Sequence, residues 1–318
     1  MSSGETQYDV DDDLFWTPPE GIPGHAGTPI PSDLDFFEPP PEEIGEIVSA
    51  WSSLSTDKEP MGPTLRWILA FVIGVGGWLG GTLLFRMFDV RDDFAANALG
   101  GLIGVIGLLV VLAVTRFKHT CSYVGTKGVL TATLKGGRFR TPSIQQFLFD
   151  EAEKLFTSQT RHYYNGVYTG TSYDYRWADV GNRTQFQLKG TYQAKDGNPK
   201  PKDPFHLAMS AEMAWSQYLL DGMQEELERE GCVEFPVNKS DLVRVGPGFL
   251  EFVLKGAPTR VEAADIKELS ISDGTFNIKT HDAKWFGSKG KYRFNYGRMG
   301  NAKLFVFSLE RLLGVRFG

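Results

Sequence analysis

The chain has 318 residues, 33 Lys or Arg against 39 Asp or Glu, a formal net charge of −6 and a mean hydropathy of −0.22. Such totals suit a soluble protein, but they hide a segregation: residues 1–62 carry 14 acidic side chains and the single cation Lys58, leaving +7 on the rest. That charge is diffuse over 256 residues, which argues against nucleic acid as a partner, and Cys121 and Cys232 offer no CxxC pair and no zinc pattern.

Residues 1–62 form an acidic, proline-rich arm. High charge and low hydrophobicity oppose a packed core, so the arm is expected to be mostly disordered. Its opening holds Asp9, Asp11, Asp12 and Asp13, unlike a signal peptide, which opens with cations and an apolar run. After Pro41, the residues Ile44, Ile47, Val48, Trp51 and Leu54 recur at helical spacing. They predict a short amphipathic helix over 41–55 that docks a partner protein, folds back on its own chain or rests at a bilayer surface.

Residues 63–118 contain two uncharged runs, Trp67 to Phe85 and Phe94 to Thr115, of 19 and 22 residues. Each is long enough to cross a hydrocarbon core of ~30 Å. The short charged connection predicts an antiparallel transmembrane hairpin over 67–85 and 94–115. Gly76/Gly80, Gly77/Gly81 and Gly100/Gly104 each make a GxxxG spacing, which suits close helix packing within the hairpin or against an oligomer or partner. Lys58, Arg66, Arg116, Lys118 and Lys127 flank the spans, while the turn mixes Arg86 and Arg91 with three aspartates. The cation excess places both termini in the cytoplasm and the protein in a plasma (inner) membrane, multi-pass. Neither span holds an ionisable residue, so the hairpin reads as an anchor rather than a transporter.

The remainder contains a faint repeat. Val124-Gly125, Gly128-Val129-Leu130 and Leu134-Lys135-Gly136 match Val245-Gly246, Gly248-Phe249-Leu250 and Leu254-Lys255-Gly256. Asp150 with Glu153-Lys154-Leu155 then parallels Asp265 with Lys267-Glu268-Leu269. Helical patterns close the two copies over about 206–230 and 302–314. Between them the signals are β: Asn165-Gly166, Gly181-Asn182 and Asp273-Gly274 are hairpin turns, and 291–296 alternates, with three aromatics on one face.

Antiparallel strands closed by one helix, twice over, resemble pleckstrin-homology-like (GRAM-like) modules of bacterial proteins that carry membrane hairpins. The resemblance rests on the glycine-hydrophobic-Lys-Gly strand pattern, the following Asp and the closing helix. It implies an α+β soluble region with two antiparallel β-barrel or sandwich modules, at 119–231 and 232–318. The basic K-x-n-R-x-R set of inositide-binding members is absent from Lys127, Lys135, Arg138, Arg140 and from Arg244, Lys255, Arg260.

No catalytic motif, cofactor fingerprint or metal spacing emerges from His25, His119, His162, His206 and His281, and no small-molecule substrate is indicated. Asp203 is expected to cap the helix near 206. Between Lys284 and Arg298, the cations Lys284, Lys289, Lys291, Arg293 and Arg298 interleave with Trp285, Phe286, Tyr292, Phe294 and Tyr296. That run suits anionic headgroups, or is an ordinary half-buried strand with a basic outer face. The expected function is a non-enzymatic, membrane-anchored interaction or scaffold protein with a protein partner or a second copy. The alternative is a sensor of anionic lipid.

Overall fold

A computed structural model describes residues 16–55, 62–87, 92–116, 118–136, 141–194, 199–238, 240–284, 287 and 289–315.

Two long helices, α1 (Pro63–Met87) and α2 (Asp93–Val114), lie side by side. Gly74 faces Leu108, Gly77 faces Gly104 and Gly81 faces Gly100, an antiparallel register. Both helices are long and apolar enough to cross a bilayer. Their apolar side chains point outward; Phe71 is 66% exposed and Leu102 56%. A soluble core helix would bury such residues. The two ends are tied by charge. Arg66 donates to the Leu112 carbonyl and, at 3.1 Å, to Thr115 Oγ1, meeting the negative end of the α2 dipole. Arg86 pairs with Asp93 at 2.9 Å at the other end.

The rest of the chain builds one element order twice. In the first module, β1 (Ile47–Ser52), β2 (Lys118–Gly125), β3 (Gly128–Lys135) and β4 (Ser143–Leu148) form a four-stranded antiparallel sheet. β5 (Lys154–Tyr164), β6 (Val167–Ala178) and β7 (Thr184–Tyr192) form a three-stranded one, and α3 (Phe205–Glu230) follows. In the second, β8 (Val233–Pro236), β9 (Leu242–Gly246), β10 (Phe249–Leu254) and β11 (Ala257–Glu262) are followed by β12 (Ile266–Ser272), β13 (Thr275–Thr280) and β14 (Lys291–Asn295), then α4 (Ala302–Leu313).

The repeat is visible even in detail. A short 3-10 turn follows the fourth strand of each module, and its first amide bonds back to the turn between strands two and three: Phe149 N to Lys127 O at 2.8 Å, Ala263 N to Gly248 O at 2.7 Å. One point of the sequence alignment shifts. Val129 pairs with Val124, and Leu250 with Val245, so Gly128 corresponds to Phe249 rather than to Gly248. A slip of one residue exchanges the two faces of a strand, and the structure puts Val129 and Leu250, both fully buried, on the core side.

β1 corrects the sequence reading of the arm. Residues 41–55 are not an amphipathic helix. Glu42–Ile44 make a single 3-10 turn, Gly45 ends it at φ 78°, and Ile47–Ser52 pair antiparallel with β2. A Cβ on Gly45 would collide with Thr126, and one on Gly125 with the Ile44 carbonyl, so glycine at both positions lets the arm seat on the β2–β3 turn. Residues 16–55 as a whole are folded, contrary to the expected disorder; residues 1–15 and 56–61 lie outside the described residues. Trp16, Ile22, Ile30, Leu34, Phe36 and Phe37 cover the outer face of the first sheet, where Cys121, Tyr123, Leu130 and Ala132 are buried. The first module therefore begins within the arm, not at residue 119. Its first two strands are separated in sequence by the entire helical hairpin, whereas β8 and β9 are joined by five residues.

Two aromatic cores fill the modules. Phe147, Trp177, Phe186, Phe205 and Trp215 sit between the first two sheets and the start of α3. Phe252, Phe276, Phe294 and Phe305 fill the second. Leu219, Leu220, Met223 and Leu227, further along α3, pack on that second core. One helix thus serves both modules.

Candidate functional site

The splice of hairpin into sheet defines the candidate site. Only three residues separate α2 from β2, and ten separate β1 from α1. Three connecting residues reach at most about 15 Å, so this end of the first sheet is held against the hairpin. The pairing continues to its limit: Ser53 N donates to Thr120 O at 2.9 Å, and His119 Nδ1 lies 2.9 Å from Ser53 O. At the same end Lys118 stands opposite Lys135 in the register. Arg116 precedes them, and Arg138 and Arg140 lie in the β3–β4 connection, residues 137–140 of which are outside the described ones. Among the described residues, that end of the module carries Arg116, Lys118 and Lys135.

Within the hairpin the six predicted packing glycines divide. Gly77, Gly81, Gly100 and Gly104 form the helix contact, joined by Gly74 and Gly107. Gly76 and Gly80 have nothing within 4 Å of where a Cβ would stand and face outward.

The basic strand is also divided. Tyr292 and Phe294 stack on Phe252 at 3.7 and 5.7 Å, and Tyr296 stacks on Phe276 at 5.3 Å. The aromatics belong to the core, as an ordinary half-buried strand requires. On the opposite face Arg293 is exposed and stands across from Asn277. Lys291 is half-buried, and Lys279 beside it pairs with Glu268 at 2.7 Å. Lys284 is exposed, and Lys289 reaches Asp282 at 3.5 Å. Trp285 and Phe286 lie outside the described residues. Arg298 falls beyond the strand, in a turn where the two modules meet. The five cations do not converge on one site.

The five proposed docking residues of the arm have different fates. Ile44 and Leu54 are completely buried within this chain, Ile47 and Trp51 are half-buried, and Val48 is 41% exposed. A strand sends successive side chains to opposite faces, so the common helical face does not exist.

No protein-family model matches the chain, and no curated protein matches it either.

Several groups that the sequence did not single out hold the arm. Both ring nitrogens of His25 are bonded, Nδ1 to Ser49 Oγ at 2.7 Å and Nε2 to Ser122 Oγ at 2.9 Å. Ser49 Oγ meets Ser210 Oγ of α3 at 2.6 Å. Burial of the imidazole, with repulsion from His206, pushes its pKa down to about 3. Histidine beside serine raises the question of a nucleophile, but among the described residues no carboxylate orients this ring, and both its nitrogens are used in closing the arm onto β1 and β2, with Ser49 carrying the contact on to α3. Nearby, Tyr123 donates to the Glu38 carbonyl and accepts from the Cys121 thiol at 3.0 Å. Burial holds the Cys121 thiol up at about 12, and both cysteines are free.

A second such group is Asn301, at the start of α4. Its Oδ1 accepts from Leu155 N at 2.9 Å and from Trp215 Nε1 at 3.0 Å, its Nδ2 donates to Glu153 O at 2.9 Å, and its backbone N donates to Leu155 O at 2.8 Å. Every one of these partners is in the first module. Beside it Lys303 reaches Glu212 at 3.4 Å; burial raises the Glu212 carboxyl pKa, and Lys303 opposes that rise. Among the described residues no group of His, Cys, Asp and Glu could hold a metal ion.

Proposed function

We propose that this chain is a membrane-anchored, non-enzymatic interaction protein whose two pleckstrin-homology-like modules present protein-binding surfaces at a bilayer. The observation that carries the reading is the placement of the hairpin between β1 and β2. A flexible tether would let the modules roam. Here the anchor is a loop of the fold, so the first module stands within about 15 Å of the hairpin's end, and the shared helix α3 holds the second beside it. Each module also has four strands, then three, then a helix, the order that supports a pleckstrin-homology-like assignment.

A hairpin inserted between two paired strands returns the chain to the side it left. The cations at Arg66, Arg116 and Lys118 favour the cytoplasm for that side, hence both termini there and a plasma-membrane location.

The surface offered to a partner is the β5–β6 hairpin, where Tyr163, Tyr164 and Val167 are 60–73% exposed. Exposed aromatic groups of this kind mark interaction surfaces. A photo-crosslinker placed at Tyr164 in the full chain in its membrane should yield a discrete protein adduct, abolished by Tyr163→Ser with Val167→Ser. Monomeric protein alone, at Tyr164 and at flanking positions, would sink the reading.

The Lys118–Lys135 pair beside the hairpin supports a second reading, contact with anionic lipid, each cation near such a surface contributing roughly 1 kcal/mol. Hydrogen exchange at Lys135 and residues 141–143, compared between neutral and phosphatidylserine nanodiscs, tests it. Protection only in the anionic discs, weakening with salt, is expected; identical exchange in both discs counts against it. The full chain is required, because a fragment starting at 119 would lack β1 and bare the apolar face that the arm covers.

A further inference from the structure

Where the two modules meet, a cleft of about 310 Å³ opens between the start of β5, the β6–β7 turn, the end of β8 and the turn after β14. Lys154, Phe156, Arg176, Asn182, Asn238 and Arg298 are among its walls, and among the described residues no carboxylate lines it. Lys154 and Arg176 come from the first module and Arg298 from the second. None of the three forms an ion pair among the described residues.

Two acidic side chains in the turns that border the cleft are committed to those turns. Asp179 accepts from Arg183 N at 2.8 Å and Gln185 Nε2 at 3.1 Å. Asp241 accepts from Asn238 Nδ2 and Lys255 N, both at 2.7 Å. The cations are meanwhile positioned without being neutralised. Lys154 Nζ donates to the Val180 carbonyl at 3.2 Å. Arg176 lies over the Phe156 ring at 4.4 Å and donates to the Asn182 carbonyl at 3.4 Å. Gly297 seats the turn bearing Arg298 directly on β5: a Cβ there would lie 3.3 Å from the Thr157 carbonyl.

Three cations around one concave seam repel each other, and an anion placed among them converts that repulsion into attraction. Guanidinium groups favour oxyanions that accept two parallel bonds, phosphate above all. We infer that the seam cleft binds a phosphate-bearing ligand, gripped by Lys154 and Arg176 on one side and Arg298 on the other, and that the ligand tightens the modules onto each other. The same dianionic group is carried by free phosphate compounds and by phosphomonoester lipids. The site is separate from the β5–β6 hairpin surface and does not depend on it.

The test uses the full chain in phosphatidylcholine nanodiscs. Inorganic pyrophosphate is titrated in one series; phosphatidic acid is included in the discs in another. Thermal unfolding of the soluble part is the readout. Stabilisation by either probe is expected, and which one acts identifies the source. Arg298→Gln and Arg176→Gln should each shift the response to about tenfold higher ligand, ~1.4 kcal/mol, while Lys289→Gln, outside the cleft, should not. Arg298 is exposed, so its ligand-free midpoint should stay at the wild-type value; if it falls, Asn182→Asp, which adds a carboxylate to the wall, must weaken the response instead. No stabilisation by either probe, or an equal loss in Lys289→Gln, overturns the inference.

Discussion

Asn301 joins the modules through a backbone conformation that few residues accept. Its φ of 56° is left-handed, a region Asn tolerates better than most side chains, and the twist brings both its amide group and its backbone N–H to β5. Asn301→Ala removes two acceptor roles and one donor role, and leaves Trp215 Nε1 and Leu155 N without their partner. Unsatisfied buried groups cost about 1–3 kcal/mol each, so a loss of roughly 2–4 kcal/mol is expected in denaturant unfolding of the full chain. Unfolding of the two modules should also become less coupled in the variant than in the wild type. His25 makes a prediction of opposite character. Its folded pKa of about 3 lies below the usual 6.5, so the unfolded chain binds the proton first. The arm's closure is then complete above pH 6.5 and weakens as pH falls from 6.5 toward 3. Hydrogen exchange of the β1 amides should accelerate across that interval, and His25→Asn should flatten the dependence.

At the scale of the elements, the hairpin helices differ by face. A side chain on Gly104 would run into the Gly74 carbonyl and lie 3.0 Å from Trp78 N; one on Gly81 would sit 3.0 Å from Gly100 Cα. Gly104→Val and Gly81→Val should therefore separate α1 from α2, and a disulfide engineered between the helices should form less readily. Gly76→Val and Gly80→Val face outward and should leave that disulfide unchanged. If the outward pair mattered more, the register of the two helices would be wrong. The sequence displayed the glycines but not this division, because GxxxG spacing records that a face is small and not which neighbour it meets. The turns were more legible. Asn165-Gly166 and Asp273-Gly274 adopt positive φ at both residues, and Asp203 accepts from Phe205 N at 3.0 Å at the start of α3, because such preferences are set by the backbone of a few adjacent residues. The helix read over 41–55 failed for the complementary reason: its spacing was compatible with a helix, yet pairing with a strand about seventy residues away took precedence.

On the scale of the whole molecule, the arm is a structural part of the first module. Deleting residues 16–46 should leave β1 in place but uncover Cys121, Tyr123, Leu130 and Ala132. In a Cys232→Ala background, Cys121 should resist maleimide in the full chain and react readily after the deletion. Continued protection would mean that another segment covers that face. The deletion should also lower solubility, since a sheet face that was buried becomes an exposed apolar patch.

The sequence by itself determined what is local or compositional: two helices long and apolar enough to cross a bilayer, the hairpin turns, the helix cap, and a faint repeat that forecast strands and a closing helix twice. Tertiary structure alone decided where the arm goes, which glycines touch, and that the basic strand spends its aromatics on a core. It also decided that Lys154, Arg176 and Arg298, separated by more than a hundred residues at the extremes, line one cleft. The physical reason is common to all of these. Each depends on contacts between segments far apart in the chain, and a periodic pattern reports that a face wants burial without naming what will bury it.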